Sequence, residues 1–171
     1  MDIDLIYGII KIILIATTPL VFAGIGELVT EKSGVLNLGV EGMMLVGAVT
    51  AFVTLVITGS YFLAFTFSIL SGVIMSALFA FLVLILMSNQ IATGLALTIF
   101  GIGLSSMIGK NYIGTPIEGL SPWFFVAFSF FVVLLVSYFF YKTKSGLILR
   151  AVGESHNSAH ALGYSVLRIR L

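Results

Sequence analysis

No cysteine occurs in the 171 residues. Disulfides, thiolate metal sites and cysteine nucleophiles are therefore excluded. Charge is nearly as scarce. Asp, Glu, Lys and Arg make up 9% of the chain, against roughly 25% in an average soluble protein, which excludes an ordinary soluble domain. The net charge of +1 comes with no basic cluster interleaved with aromatics, so nothing points to nucleic acid. No Ser-His-Asp arrangement, phosphate loop or dinucleotide fingerprint is present, so the sequence offers no catalytic centre and implies no cofactor. Strict apolar–polar alternation is also missing, which excludes a membrane β-barrel.

What remains is apolar. Hydrophobic residues make up 60% of the chain and the mean hydropathy is +1.21. Continuous apolar runs must satisfy their backbone as helices in lipid. At about 20 residues per span there is room for about five. The expected fold is all-α, a polytopic transmembrane bundle with spans near 5–29, 35–58, 61–87, 91–108 and 123–141. Lys11 and Pro19 are expected to interrupt the first. The start Met1-Asp2-Ile3-Asp4 lacks the basic region of a cleavable signal peptide, so the first run is read as a retained membrane helix. Lys11 can snorkel to the interface, and Trp123 reads as an interfacial anchor of the Phe-rich fifth span.

Positive charge orients the set. Placing Lys142, Lys144, Arg150, Arg168 and Arg170 in the cytoplasm also places Lys32 there and leaves only Lys110 outside. The expected division is residues 1–141 as membrane helices with the N-terminus outside, and 142–171 as a cytoplasmic segment.

Small residues suggest close packing. The third span has Ala64, Ser68, Gly72, Ser76 and Ala80 at strict intervals of four, read as one face. Gly101, Ser105 and Gly109 repeat the pattern in the fourth, and Gly39, Gly47 and Ala51 in the second.

Three of the seven acids, Glu27, Glu31 and Glu41, fall between the first two apolar runs. An acid near membrane depth raises a functional hypothesis. Glu31 and Lys32 are expected to pair at a turn. Asn37 and Glu41, four apart, are expected to share one face of the second helix. Glu41 fits either a buried structural role or a path-lining one. The Gly-interrupted piece from Ser33 to Gly42 is either a turn or a re-entrant segment lining a protein cavity. Asn89, Gln90, Thr93 and Thr98 make one end of the fourth span polar, suited to interhelical hydrogen bonds.

After Tyr141 the chain turns polar. Ser145-Gly146 is expected to turn, 147–152 to be a short helix broken at Gly153-Glu154-Ser155, and 157–162 a second one stopped at Gly163. Such pieces suit docking into a partner's groove, and they equally suit a plain juxtamembrane loop. His156 and His160 have zinc-compatible spacing but no third ligand beyond Glu154, so no metal is expected. The segment is too short to be an ATPase.

Two blocks resemble a known family. One is Thr18-Pro19-Leu20-Val21-Phe22-Ala23-Gly24-Ile25-Gly26-Glu27 followed by Glu31-Lys32-Ser33-Gly34-Val35-Leu36-Asn37-Leu38-Gly39-Val40-Glu41-Gly42-Met43-Met44. The other is Gly146-Leu147-Ile148-Leu149-Arg150-Ala151-Val152-Gly153-Glu154 with Ala159, Ala161-Leu162-Gly163 and Arg168-Ile169-Arg170. Asn89-Gln90-Ile91-Ala92-Thr93-Gly94-Leu95-Ala96-Leu97 lies between them. Together they resemble bacterial ABC importer permeases of the nucleoside/simple-sugar branch, in the superfamily that includes ribose and branched-chain amino acid permeases. The resemblance implies a plasma (inner) membrane permease subunit that works with a second permease subunit, ABC ATPase subunits and a substrate-binding lipoprotein or periplasmic protein. The candidates for a translocation path, read from their polarity within apolar spans, are Asn37, Glu41, Asn89 and Thr93. The resemblance also implies an ATPase-coupling loop at Gly146, Leu147, Arg150, Ala151, Gly153, Glu154 and Gly163. Family permeases continue into further membrane helices, so the chain resembles the N-terminal part of one. The competing readings are a non-transporting membrane scaffold or partner-binding protein, and a permease of the branched-chain amino acid type.

Overall fold

A computed structural model describes residues 3–155 and 163–170, and all regular structure in them is helical. Five helices are long and apolar enough to cross a membrane: α1 (Ile3–Lys32), α2 (Val40–Thr58), α3 (Tyr61–Ala80, continued by a π-helical turn Phe81–Ile85), α4 (Gln90–Gly109, continued by a 3₁₀ turn Lys110–Tyr112) and α5 (Pro122–Lys142). Two shorter helices follow, α6 (Lys144–Glu154) and α7 (Val166–Arg170). They group into two compact units interleaved in the chain: α1, α5 and α6 in one, α2, α3, α4 and α7 in the other.

In the first unit, neither Lys11 nor Pro19 interrupts α1, contrary to the sequence expectation. Its 30 residues span about 45 Å at 1.5 Å each, longer than a ~30 Å hydrocarbon core. Pro19 lacks the N–H that would bond the Ile15 carbonyl one turn back, and threonine hydroxyls add bonds to the two carbonyls before that one. Thr17 Oγ1 donates to the Ile13 carbonyl and Thr18 Oγ1 to the Leu14 carbonyl, both at 2.8 Å. α5 packs on α1 partly through rings, with Phe22 and Phe128 centroids 5.9 Å apart.

In the second unit, Val35, Val46, Met75, Phe79, Val83, Leu84 and Leu97 form the buried core. The small-residue stripe of α3 does not hold one face. Ala64 is buried and Ser68 Oγ donates to the Gly47 carbonyl at 2.9 Å, yet Ser76 is exposed. Steps of four advance about 400° around a helix of 3.6 residues per turn. The stripe therefore rotates roughly 40° per step, and Met75 and Phe79 hold the contact instead. α3 ends at Met87, whose φ of 54° is uncommon for a residue with a side chain. Ser88 closes the end, donating from its N–H at 3.1 Å and its hydroxyl at 2.8 Å to the Leu82 carbonyl.

Candidate functional site

The second span does not begin at residue 35. α1 stops at Lys32, Gly34 takes a positive φ of 82°, and α2 starts only at Val40. Between them Val35, Asn37 and Gly39 are buried while Leu36 and Leu38 are exposed. That alternation is the period of an extended chain, which bends into a turn at Leu38 and Gly39 before α2. Asn37 and Glu41 therefore do not share a helical face, and Glu41 lies in the first turn of α2 rather than deep in a span.

The extended segment runs along α4. Gln90 Oε1 accepts the Leu36 N–H at 2.8 Å, and Thr98 Oγ1 donates to the Leu38 carbonyl at 2.9 Å. Gln90 and Thr98 are eight residues apart, so Leu38 sits about 12 Å along α4 from its start. Non-helical backbone survives beside a span only when protein groups satisfy it, and these two side chains do so. Gly94 makes room: a Cβ there would lie 2.8 Å from the Leu38 nitrogen. One turn further, Gly42 meets Leu97 and Thr98 backbone, and Gly101 meets Gly42. The packing reading anticipated Gly101 but missed Gly42 and Gly94. The one available signal was the seven-residue interval from Gly94 to Gly101, two helical turns on one face.

The four path candidates differ in what their side chains do. Asn37 is buried, and its Oδ1 accepts the Gly39 N–H at 2.9 Å, an Asx turn that leads into α2. Asn89 caps α4, accepting the Ala92 N–H at 3.1 Å. Thr93 Oγ1 and Ser88 Oγ are hydrogen-bonded at 2.8 Å. Glu41 is exposed, and its carboxylate has no partner among the described residues. An acid in a first helical turn suits the helix dipole. The structure brings Asn37 and Glu41 together at the head of α2, and Asn89 and Thr93 together at the head of α4.

The expected Glu31–Lys32 pair is not formed among the described residues. Adjacent helical residues point about 100° apart and do not face each other. Glu27 instead accepts the Thr30 hydroxyl at 3.3 Å.

The coupling candidates lie on a helix longer than expected. α6 begins at Lys144, so Ser145 and Gly146 are its first turn rather than a bend, and Gly153 does not break it. Thr143 makes the elbow. Its hydroxyl donates to the Phe139 carbonyl at 2.7 Å, ending α5, and accepts the Gly146 N–H at 3.1 Å, capping α6. A side chain at Gly146 would strike the Phe139 carbonyl, and one at Gly153 the Lys32 carbonyl. Both positions need glycine because each is a contact point, one on α5 and one on the end of α1. Val152 is fully buried between them in sequence. Arg150 lies over the Tyr141 ring, its guanidinium carbon 5.2 Å from the centroid. Lys144, Leu147, Ala151 and Glu154 are all exposed, and intervals of three and four align them on one outward stripe. Gly163 is exposed with φ 83°. Thr143 and Val152 were missed, although a Thr before an apolar-periodic run is an N-cap signal. The second short helix expected at 157–162, and His156 and His160, lie outside the described residues. Among those described, no group of three metal-ligating side chains occurs.

Five helices long and apolar enough to cross a membrane are those of a multi-pass membrane protein. The chain belongs to the family described as branched-chain amino acid transport system / permease component, which matches residues 9–171. That family consists of transport subunits rather than catalysts. A Haloferax volcanii protein that carries the name glucose ABC transporter permease protein TsgC13 is 37% identical over 95% of this chain and 56% of its own length. The nucleoside ABC transporter permease protein NupC of Lactococcus lactis subsp. cremoris is 30% identical over 95% of this chain and 61% of its own. The guanosine ABC transporter permease protein NupQ of Bacillus subtilis is 26% identical, over 99% and 63%. The chain thus spans less than two thirds of each of these relatives. No solved structure matches it.

Proposed function

We propose that the chain serves as a membrane-spanning permease subunit of an ATP-driven ABC importer in the bacterial plasma (inner) membrane. Its N-terminus lies outside and residues 142–171 face the cytoplasm. The observation that carries this reading is α6. It is clamped through glycine contacts to the ends of α5 and α1, and it turns the stripe Lys144, Leu147, Ala151, Glu154 outward. Such a helix transmits a push on its outer face to two spans at once. The partner that pushes is a separate ATPase subunit, so ATP is hydrolysed on another chain. A second permease subunit and a substrate-binding lipoprotein or periplasmic protein complete the assembly.

The solute is a nucleoside or a related simple sugar, a reading supported by relatives named for glucose, nucleoside and guanosine transport. Glu41 is the path candidate whose carboxylate has no partner among the described residues, while Asn37 and Asn89 hold backbone N–H groups at the heads of α2 and α4 and Thr93 bonds the Ser88 hydroxyl.

A single cysteine at Leu147 tests the docking face, since the chain has no other cysteine. It should be labelled only after the cytoplasmic side is opened, and should crosslink to the co-expressed ATPase. Labelling of intact cells from outside would overturn both orientation and coupling.

A further inference from the structure

The ends of α1, α5 and α6 border a partly open cavity of about 230 Å³ that the permease reading leaves unused. Lys32 and Arg150 line it, with Ser137 and Tyr141 as further polar groups and Leu28 and Val133 among its apolar walls. No carboxylate lines it, and neither Lys32 nor Arg150 forms an ion pair among the described residues. Two helices also end here, and their terminal carbonyls carry roughly half a negative charge each. Two full positive charges exceed these partial ones, so the recess is cationic. That arrangement favours an anion.

Arg150 suits one. Its guanidinium carbon lies 5.2 Å from the Tyr141 ring centroid, and a guanidinium can bind a phosphate with two parallel N–H bonds. Lys32, the last residue of α1, supplies a mobile point charge. Leu28 lies one helical turn before it, on the apolar side of the same cavity. A cationic mouth that merges with an apolar wall at the ends of two spans matches an amphiphile rather than a free ion. Basic pockets between membrane helices on the cytoplasmic side bind anionic headgroups.

We propose that Lys32 and Arg150 hold the phosphate of an anionic phospholipid in this cavity, with an acyl chain running along Leu28 and Val133. The occupant then ties α6 to α1 and α5 through charge, beside the glycine contacts. The site itself rests on these side chains, and only its assignment to the cytoplasmic leaflet rests on the orientation proposed above.

The test is native mass spectrometry of the full chain in detergent, titrated with phosphatidylglycerol or phosphatidylcholine. Phosphatidylglycerol should be retained preferentially. Lys32→Gln and Arg150→Gln should each weaken its binding roughly fivefold and the pair about thirtyfold, given the usual contribution of a basic residue near an anionic lipid. Lys11→Gln, elsewhere on α1, should leave it unchanged. Equal retention of phosphatidylcholine, or unchanged binding in the double variant, would overturn the proposal. So would displacement of the lipid by excess inorganic phosphate, which would make this a free-anion site. Circular dichroism separates lost binding from lost fold. Lys32→Arg, which keeps the point charge, must still bind, and its failure would also sink the idea.

Discussion

Gly42 and Gly101 meet backbone to backbone. A Cβ on Gly101 would lie 2.5 Å from the Gly42 carbonyl oxygen and 2.6 Å from its Cα. No side chain can retreat from such a contact, because both neighbours are main chain. Gly101→Ala should therefore force α2 and α4 apart and destabilise the protein by about 1–3 kcal/mol, the usual cost of overpacking. Gly103, two residues on, has open space within 4 Å of where a methyl group would sit, so Gly103→Ala should not destabilise. Parallel unfolding curves of the two purified variants check the contrast.

Thr98 donates the bond that satisfies the Leu38 carbonyl. Thr98→Val keeps the shape and removes the donor. The loss should be about 0.6 to 1 kcal/mol, as for hydrogen bonds inside membrane proteins. Thr98→Ser should restore it. Hydrogen exchange at the Leu36 and Gly39 amides should quicken in the valine variant, because the extended segment then loses a hold on α4.

Gly153 lies against the Lys32 carbonyl, and Val152 beside it is fully buried. Gly153→Ala should lift the end of α6 from α1. A cysteine at Val152 should resist maleimide when Gly153 is present and react when it is replaced. Equal protection in both backgrounds would show that α6 is held elsewhere. Under the coupling proposed above, the same substitution should lower uptake by the assembled transporter while expression holds.

Glu41→Gln tests the path reading. It removes a charge that has no partner among the described residues, so folding should be little affected. Solute uptake by the assembled transporter should fall. Unchanged uptake at normal expression would leave Glu41 as a helix N-terminal acid only.

The spans were legible because apolar runs of this length have few other solutions. Their detailed ends were not. Periodicity extends the second span back through Asn37, since nothing local distinguishes an extended segment held by Gln90 and Thr98 from another helical turn. The partners lie more than 50 residues away in sequence. Glycine misleads at α6 for a related reason. Gly146 and Gly153 read as breakers from propensity alone, but each is a contact point where another backbone leaves no space. The regular spacing of four along α3 reads as a face. Helical pitch turns it into a spiral, and bulky Met75 and Phe79 take the contact. Pro19 reads as an interruption, and Thr17 and Thr18 show how the turn beside it is held.

The π-helical turn Phe81–Ile85 accommodates one residue more than an α-helix would, closing through the Leu86 N–H to the Phe81 carbonyl at 3.1 Å. The surplus is local: the helix before it and the Ser88 closure after it are each anchored by their own bonds. This stretch is therefore a place where evolution can add or delete a single amino acid without shifting either flank. Aligned permeases should show one-residue gaps concentrated between Ala80 and Met87 rather than scattered along α3.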